Sequence, residues 1–74
     1  MKIEVRLFAT LRDGRAKVLD MKVAQNSSAR KILELLDIRQ EDVALLLVNG
    51  RDGNLDEQLA EGDVLSLFPP VGGG

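Results

Sequence analysis

The strongest constraint on this chain lies at its end, where the sequence reads Leu67-Phe68-Pro69-Pro70-Val71-Gly72-Gly73-Gly74. The two prolines lack amide donors and favour an extended backbone, so we expect them to end the last strand and to direct the following residues away from the domain. Glycine has no Cβ, so the final segment can enter a narrow channel in which any side chain would clash. We therefore predict a folded domain over residues 1–70 and a flexible tail over residues 71–74, whose reactive group is the terminal carboxylate of Gly74.

This ending also has a simpler interpretation, because glycines at a terminus are often a frayed end or a remnant of cloning. The position of the glycines favours a functional tail. They are the last residues of the sequence, and a hydrophobic strand pattern precedes them directly. Between that strand and the glycines, the diproline and Val71 form a connection that is stiffer than a Gly/Ser linker. We interpret the ending as a means of presenting one carboxylate to the active site of another protein.

Length and composition restrict the chemistry that the chain can perform alone. Its 74 residues suffice for one domain, and it contains no cysteine and no histidine. We therefore expect no metal site and no catalytic side chain, so the chain would take part in chemistry as a carrier or substrate. The net charge of −2 argues against a nucleic-acid partner, and no apolar run is long enough to cross a membrane. The lack of cysteines and of a signal peptide suggests a cytoplasmic protein.

The first part of the chain alternates between apolar and polar residues, as a half-buried strand does. Over residues 2–10 the predicted inward positions are Ile3, Val5, Leu7 and Ala9. Phe8 is an aromatic residue on the otherwise polar face. Asp13-Gly14 predicts a turn, and residues 16–23 alternate again. The two segments together predict an antiparallel hairpin.

The middle of the chain has the pattern of an amphipathic helix. Asn26, Ser27 and Ser28 are candidate N-caps, and an apolar stripe follows at helical spacing, formed by Ala29, Ile32, Leu33 and Leu36. Residues 37–42 are polar apart from Ile38 and predict a connector with a short helical turn. One helix of about three turns is therefore expected.

The remaining residues predict further strands. Residues 44–48 form a continuous apolar run that suits a buried strand, and Asn49-Gly50 is a strong hairpin signal. A short return strand fits within residues 51–54, and residues 64–68 form the last strand. These elements predict an α+β domain in which one helix packs on one face of a mixed sheet of four or five strands.

Phe8 and Phe68, the two aromatic residues of the chain, both interrupt the inside–outside alternation of their strands. We expect the first and last strands to be neighbours in the centre of the sheet, because both are long and apolar on one face. The two rings would then emerge together on the uncovered face, close to the start of the tail. The alternative is that one ring packs under a loop.

Three stretches resemble the small subunit of molybdopterin synthase, a ubiquitin-like sulfur carrier with the β-grasp fold. Phe8-Ala9-Thr10-Leu11-Arg12 is similar to an F-A-x-L-R pattern, and Leu47-Val48-Asn49-Gly50 with Leu59, Gly62 and Asp63 follows that family's hairpin and final turn. The ending resembles the family's P-P-V-x-G-G, with Gly72 at the variable place. The helical middle is short for the family. Asp52 occupies a position where relatives often carry an apolar residue of the partner surface.

The resemblance implies a specific reaction sequence. A ubiquitin-activating-like adenylating enzyme, which holds ATP and magnesium, would adenylate the Gly74 carboxylate, and a sulfur donor would convert it to a thiocarboxylate. The sulfur would pass to a pterin precursor held by the synthase large subunit, in a hetero-oligomer. The resemblance places the partner-binding residues at Phe8, Phe68, Pro70, Val71, Gly72 and Gly73. The chain itself would bind no cofactor.

Three alternatives remain open at the level of the sequence. The carrier could serve another pathway, such as thiamin synthesis or tRNA thiolation. It could be a ubiquitin-like modifier joined through Gly74 to lysines of target proteins. It could also be an interaction domain with an inert tail.

Overall fold

A computed structural model describes residues 1–70, and the predictions made for Val71, Gly72, Gly73 and Gly74 concern residues outside that range. The strands are β1 (Lys2–Leu7), β2 (Val18–Lys22), β3 (Leu45–Val48), β4 (Arg51–Asp52) and β5 (Val64–Phe68). One α-helix, α1 (Ala29–Leu35), and two short 3-10 helices (Ala9–Arg12 and Gln40–Asp42) complete the described elements. Within residues 1–70, no helix is long and apolar enough to cross a membrane.

The five strands form one mixed sheet in the order β2-β1-β5-β3-β4. β1 and β5 are parallel neighbours, and the other adjacent pairs are antiparallel. The predicted α+β, ubiquitin-like β-grasp architecture is confirmed, and so is the central position of the first and last strands.

The core lies between the sheet and α1. Its largest fully buried side chains come from both central strands and the helix, namely Val5, Leu7, Ile32, Leu65 and Leu67. Alternation along β1 and β5 places these strand residues on the helix side, and among residues 1–70 no helix covers the other face of the central strands. That uncovered face carries the residues considered below.

The helix begins at one of the three predicted N-caps, but its seven residues form about two turns instead of three, because Leu36 is the C-cap and Asp37 has a φ of 58°. Ser28 is the N-cap, and its hydroxyl oxygen accepts a hydrogen bond from the amide of Lys31 at 3.3 Å. At the other end of α1, the Arg15 guanidinium donates to the carbonyl oxygens of Leu36 (3.3 Å) and Asp37 (3.1 Å). These bonds satisfy carbonyls that a helix leaves without partners, and they tie the loop after β1 to the end of the helix.

Two predictions about strands need correction. The first strand ends at Leu7 instead of continuing to Thr10, because Ala9 has a φ of 51° and begins a 3-10 helix. Ala9 is consequently exposed and does not share the inward face of β1. The predicted buried strand over residues 44–48 is buried on one side only: Leu46 and Val48 face the core, whereas Leu45 is 43% exposed. The α-helix covers only one face of the sheet, so alternate residues of this apolar run lie on the other, uncovered face.

The hairpin between β3 and β4 has the predicted two-residue turn. Val48 pairs with Arg51, and Asn49 and Gly50 have φ values of 54° and 82°. Both values lie in the left-handed region, as a type I′ turn requires. The return strand β4 is confined to two residues.

Candidate functional site

The two phenylalanine rings stack on the uncovered face of the sheet. Their centroids are 4.2 Å apart, and the ring planes differ by 11°. The register explains the contact: Leu7 pairs with Leu67 in the parallel β1–β5 ladder, so the residues that follow them lie side by side. The amide of Phe8 also donates to the carbonyl oxygen of Leu67 at 3.2 Å. Both side chains are half-buried, so the stacked pair stays accessible to another protein.

The turn after Phe8 places a cation against this pair. The positive φ of Ala9 takes the chain out of the sheet, and the 3-10 helix that follows brings Arg12 back to β1. The Arg12 Nε donates to the carbonyl oxygen of Leu7 at 2.8 Å, and its guanidinium carbon lies 5.4 Å from the centroid of the Phe8 ring. This geometry is a cation–π contact between Arg12 and the Phe8 ring.

The apolar surface extends to β3, which sequence reasoning missed. Leu45 pairs with Phe68, and Leu47 pairs with Ser66, so both leucines lie on the same face as the aromatic pair. We call Phe8, Phe68, Leu45 and Leu47 the apolar patch. The signal was present in the sequence, since a five-residue apolar run in a domain with one helix must place alternate residues on the uncovered face.

A charged residue limits the apolar patch at the edge of the sheet. Asp52 on β4 pairs with Leu47 and is exposed, so the patch ends in a carboxylate on that side. Asp52 therefore lies on the same face as the apolar patch and carries a negative charge there.

The last strand ends at the aromatic pair. β5 ends at Phe68, whose carbonyl oxygen accepts a hydrogen bond from the amide of Ala44 at 2.8 Å, and the two prolines follow immediately. Pro69 is half-buried, and Pro70 is exposed. The predicted tail residues, Val71 to Gly74, lie outside the described residues. Four residues span at most about 14 Å when extended, which is the greatest distance from Pro70 at which Gly74 could act.

One ion pair joins the helix to a loop. The Arg30 Nε donates to a carboxylate oxygen of Asp56 at 3.0 Å, which joins α1 to the loop between β4 and β5. This hydrogen bond, followed by the charge of Arg30, lowers the pKa of Asp56 below its usual range. Among residues 1–70, no group of three or more acidic side chains lies close enough together to hold a metal ion.

The comparisons with known proteins agree with this geometry. The model of the ThiS family matches residues 5–74. Among solved structures, SAMP1 from Haloferax volcanii, a small archaeal modifier protein, is 28% identical over 100% of both chains, with a TM-score of 0.80. The putative molybdopterin converting factor, subunit 1, from Pyrococcus furiosus is 29% identical over 96% of this chain and 99% of that one, with a TM-score of 0.77.

A third structure contains a partner. A chain from the protein–protein complex of subunits 1 and 2 of molybdopterin-converting factor from Helicobacter pylori is 28% identical over 100% of both chains, with a TM-score of 0.69. A comparison with curated proteins gives no match. Because the family match covers nearly the whole sequence, the chain belongs to the ThiS family and has the ubiquitin-like fold of a small sulfur carrier.

Proposed function

We propose that this chain is the sulfur-carrying small subunit of a molybdopterin synthase, with Gly74 as the residue that carries the sulfur. The observation that supports this most is the apolar patch at the root of the tail, where Phe8 and Phe68 stack beside the point at which Pro69 and Pro70 leave the sheet. A protein that covers the patch receives the tail at a defined place. Binding of a partner to the patch would therefore also bring the C-terminal carboxylate to that partner.

The chemistry of the carrier follows from the carboxylate itself. A carboxylate is a poor acyl donor, so an adenylating enzyme must first join it to AMP and release pyrophosphate. The terminal sulfur of a donor persulfide then attacks the acyl carbon, and AMP leaves. A further thiol releases the C-terminal thiocarboxylate by forming a disulfide with the remaining donor sulfur. The chain contributes only its terminus, which is consistent with its having no cysteine and no histidine.

The partners are proposed from the reaction and from the relatives. ATP and magnesium belong to the ubiquitin-activating-like adenylating enzyme, and the pterin precursor belongs to the synthase large subunit in a hetero-oligomer. The Helicobacter pylori complex of subunits 1 and 2 supports a partner of this kind. The proposed contact residues are Phe8, Phe68 and Pro70, together with Val71, Gly72 and Gly73 of the tail. All of these reactions would take place in the cytoplasm.

The position of the terminal carboxylate provides the test of this proposal. Deletion of Gly74, or addition of one alanine after it, moves the carboxylate by about 3.5 Å and leaves the apolar patch unchanged. Catalysis depends on near-contact placement of the reacting atoms, so adenylation should be lost. We expect both variants to bind the adenylating enzyme with nearly normal affinity, and to lose ATP–pyrophosphate exchange and thiocarboxylate formation. Gly73→Val should act in the same way by blocking the channel.

A matched control makes the result specific. Lys31→Ala alters an exposed residue of α1, on the other side of the sheet, and should leave both binding and exchange unchanged. If the chain without Gly74 still accepts sulfur at a normal rate, the Gly74 carboxylate is not the reactive group and the proposal is wrong.

A second candidate function is protein modification through Gly74. The similarity to SAMP1 from Haloferax volcanii, a small archaeal modifier protein, favours it. Both functions begin with the same adenylate, and they differ in the nucleophile that attacks it, a persulfide sulfur or a lysine amine. Conjugates of this chain with other proteins would support the modifier, whereas loss of molybdenum-enzyme activity in cells without the chain would support the carrier.

A further inference from the structure

A small group of cations lies next to the apolar patch. Arg6, Arg12 and Lys17 surround a shallow depression beside Phe8, which Glu4 and Val18 also line. The three cations and the one carboxylate leave two net positive charges in this depression, on a chain whose net charge is −2. The depression is therefore a local concentration of positive charge on an acidic protein.

Arg12 is the best-positioned cation of the group. Its Nε is fixed by the carbonyl oxygen of Leu7, and its plane rests near the Phe8 ring. In the part of the chain that the structure describes, no oxygen accepts a hydrogen bond from its two terminal nitrogens. An arginine that is held in this way loses little conformational freedom when it binds an anion, and its two terminal nitrogens suit a carboxylate.

Of the neighbouring cations, Arg6 is less available for a new ion pair and Lys17 is less constrained in its position. The Arg6 guanidinium is paired with the Glu4 carboxylate, and the side chain of Arg6 is 51% exposed. Lys17 is exposed and makes no ion pair among residues 1–70. Arg12 and Lys17 thus carry the unbalanced positive charge beside Phe8.

We propose that this cationic depression binds carboxylate side chains of the protein partner that covers the apolar patch, and that Arg12 and Lys17 thereby set the partner's orientation. The proposal rests on the proposed function, because it requires a partner on the patch. Continuity with the patch favours a protein ligand, since Phe8 belongs to both surfaces. Nucleic acid requires a longer basic stripe than three cations provide on an acidic chain.

A negative charge on the opposite side of the apolar patch determines which way round the partner binds. One row of paired residues crosses the uncovered face from Arg6 through Ser66 and Leu47 to Asp52. The apolar centre is thus flanked by cations on the β1 side and by a carboxylate on the β4 side. A partner with the complementary order of charges fits in one orientation, and a reversed partner meets like charges at both ends.

The experiment compares neutral variants in binding to the purified synthase large subunit. Arg12→Gln and Lys17→Gln each remove one cation of the depression. Arg39→Gln is the matched control, because its side chain is 73% exposed and lies outside the depression. At low salt we expect Arg12→Gln and Lys17→Gln to raise Kd by about fivefold each, mostly through slower association, and Arg39→Gln to stay within about twofold of the wild type.

Salt and a conservative variant separate charge from packing. The Debye length falls from about 10 Å at 0.1 M to about 3 Å at 1 M salt, so the differences should shrink at high salt. Arg12→Lys keeps the charge and should retain part of the affinity. If Arg12→Lys loses as much as Arg12→Gln with no salt dependence, Arg12 acts only by supporting the Phe8 ring and the proposal is wrong.

The failure of this proposal can be distinguished from the failure of the proposed function. If Phe8→Asp abolishes binding while Arg12→Gln and Lys17→Gln bind as the Arg39→Gln control does, the patch binds the partner and the cations do not orient it. If the wild-type chain does not bind the large subunit, or if Phe8→Asp binds normally, the proposed function itself is contradicted.

Discussion

At the residue scale, the partner binding proposed above depends most on Phe8 and Phe68. Each ring is half-buried; the two rings stack on each other, and the guanidinium of Arg12 lies over the Phe8 ring. Neither residue belongs to the buried core between the sheet and α1. Replacing either one therefore removes surface that a partner would cover, without opening a cavity in the core.

We predict that Phe8→Asp or Phe68→Asp leaves the domain folded and weakens partner binding. Loss of the stacked pair should lower the free energy of unfolding by about 1 kcal/mol. A central aromatic anchor contributes about 2 kcal/mol or more to binding, which corresponds to roughly 30-fold in Kd. Circular dichroism reports whether each variant is folded, denaturant titration measures the free energy of unfolding, and titration with the large subunit measures Kd.

The control for these variants is Leu35→Asp. Leu35 is 53% exposed on α1, so the substitution adds a charge to an exposed apolar position away from the patch. It should leave binding unchanged. Unfolding of both phenylalanine variants would show that the rings stabilise the core and that the patch is not a partner surface.

At the element scale, one asparagine connects the β3–β4 hairpin to the start of β5. Asn49 occupies the first turn position with a φ of 54°. Its side-chain amide donates to an Asp63 carboxylate oxygen at 2.9 Å, and its side-chain oxygen accepts from the amide of Val64 at 2.9 Å. Asn49 therefore contributes to the stability of the fold both through its backbone conformation and through its side chain.

Two substitutions at Asn49 separate these contributions. Asn49→Gly keeps access to positive φ and removes the side-chain bonds, so we expect a loss of about 1–2 kcal/mol in the free energy of unfolding. Asn49→Ala also introduces backbone strain and should cost about 1 kcal/mol more. Urea denaturation of the two variants and the wild type measures both differences in the free energy of unfolding. Equal stability of the glycine variant and the wild type would contradict the role of the side chain.

The ion pair between α1 and the loop before β5 predicts a pH dependence. Arg30 lowers the pKa of Asp56, so the folded-state pKa lies below the unfolded value of about 3.9. The pair therefore stabilises the folded chain above about pH 4, and this stabilisation is lost as the pH falls through the folded-state pKa. The effect should be small and reduced by salt, because the Asp56 side chain is 79% exposed.

The measurement compares Tm of the wild type with that of Asp56→Asn as a function of pH. The variant should be slightly less stable at pH 7, and the difference should disappear as the pH falls below about 4 and through the folded-state pKa of Asp56. A Tm difference that stays constant over this range would show that the carboxylate charge does not contribute.

The same elements show which parts of the fold can be predicted from the sequence. The β1–β2 hairpin, the Ser28 cap, the Asn49-Gly50 turn and β5 follow from local patterns, namely alternation, capping and turn residues. The turn at Ala9 does not, because alanine has no preference for positive φ and the conformation depends on tertiary contacts such as the Arg12 bond to Leu7. The predicted strand therefore continued three residues too far.

At the scale of the whole molecule, the α-helix covers one face of the sheet, and the other face is the proposed partner surface. The placement of Phe8 and Phe68 could be predicted because each breaks the alternation of a central strand. Leu45 and Leu47 were missed because a run of five apolar residues does not show which of them face inward. The cationic depression could not be predicted, since Arg6, Arg12 and Lys17 are brought together by the turn after β1.

The division of the molecule into a folded domain and a reactive end is the central claim. It is tested most directly by the intact mass of the chain isolated from cells that contain its adenylating enzyme. We predict a population heavier by the replacement of one oxygen with sulfur, located at Gly74 by fragmentation and missing from cells without that enzyme. An unmodified Gly74 under all conditions, in cells where the adenylating enzyme is active, would contradict the claim.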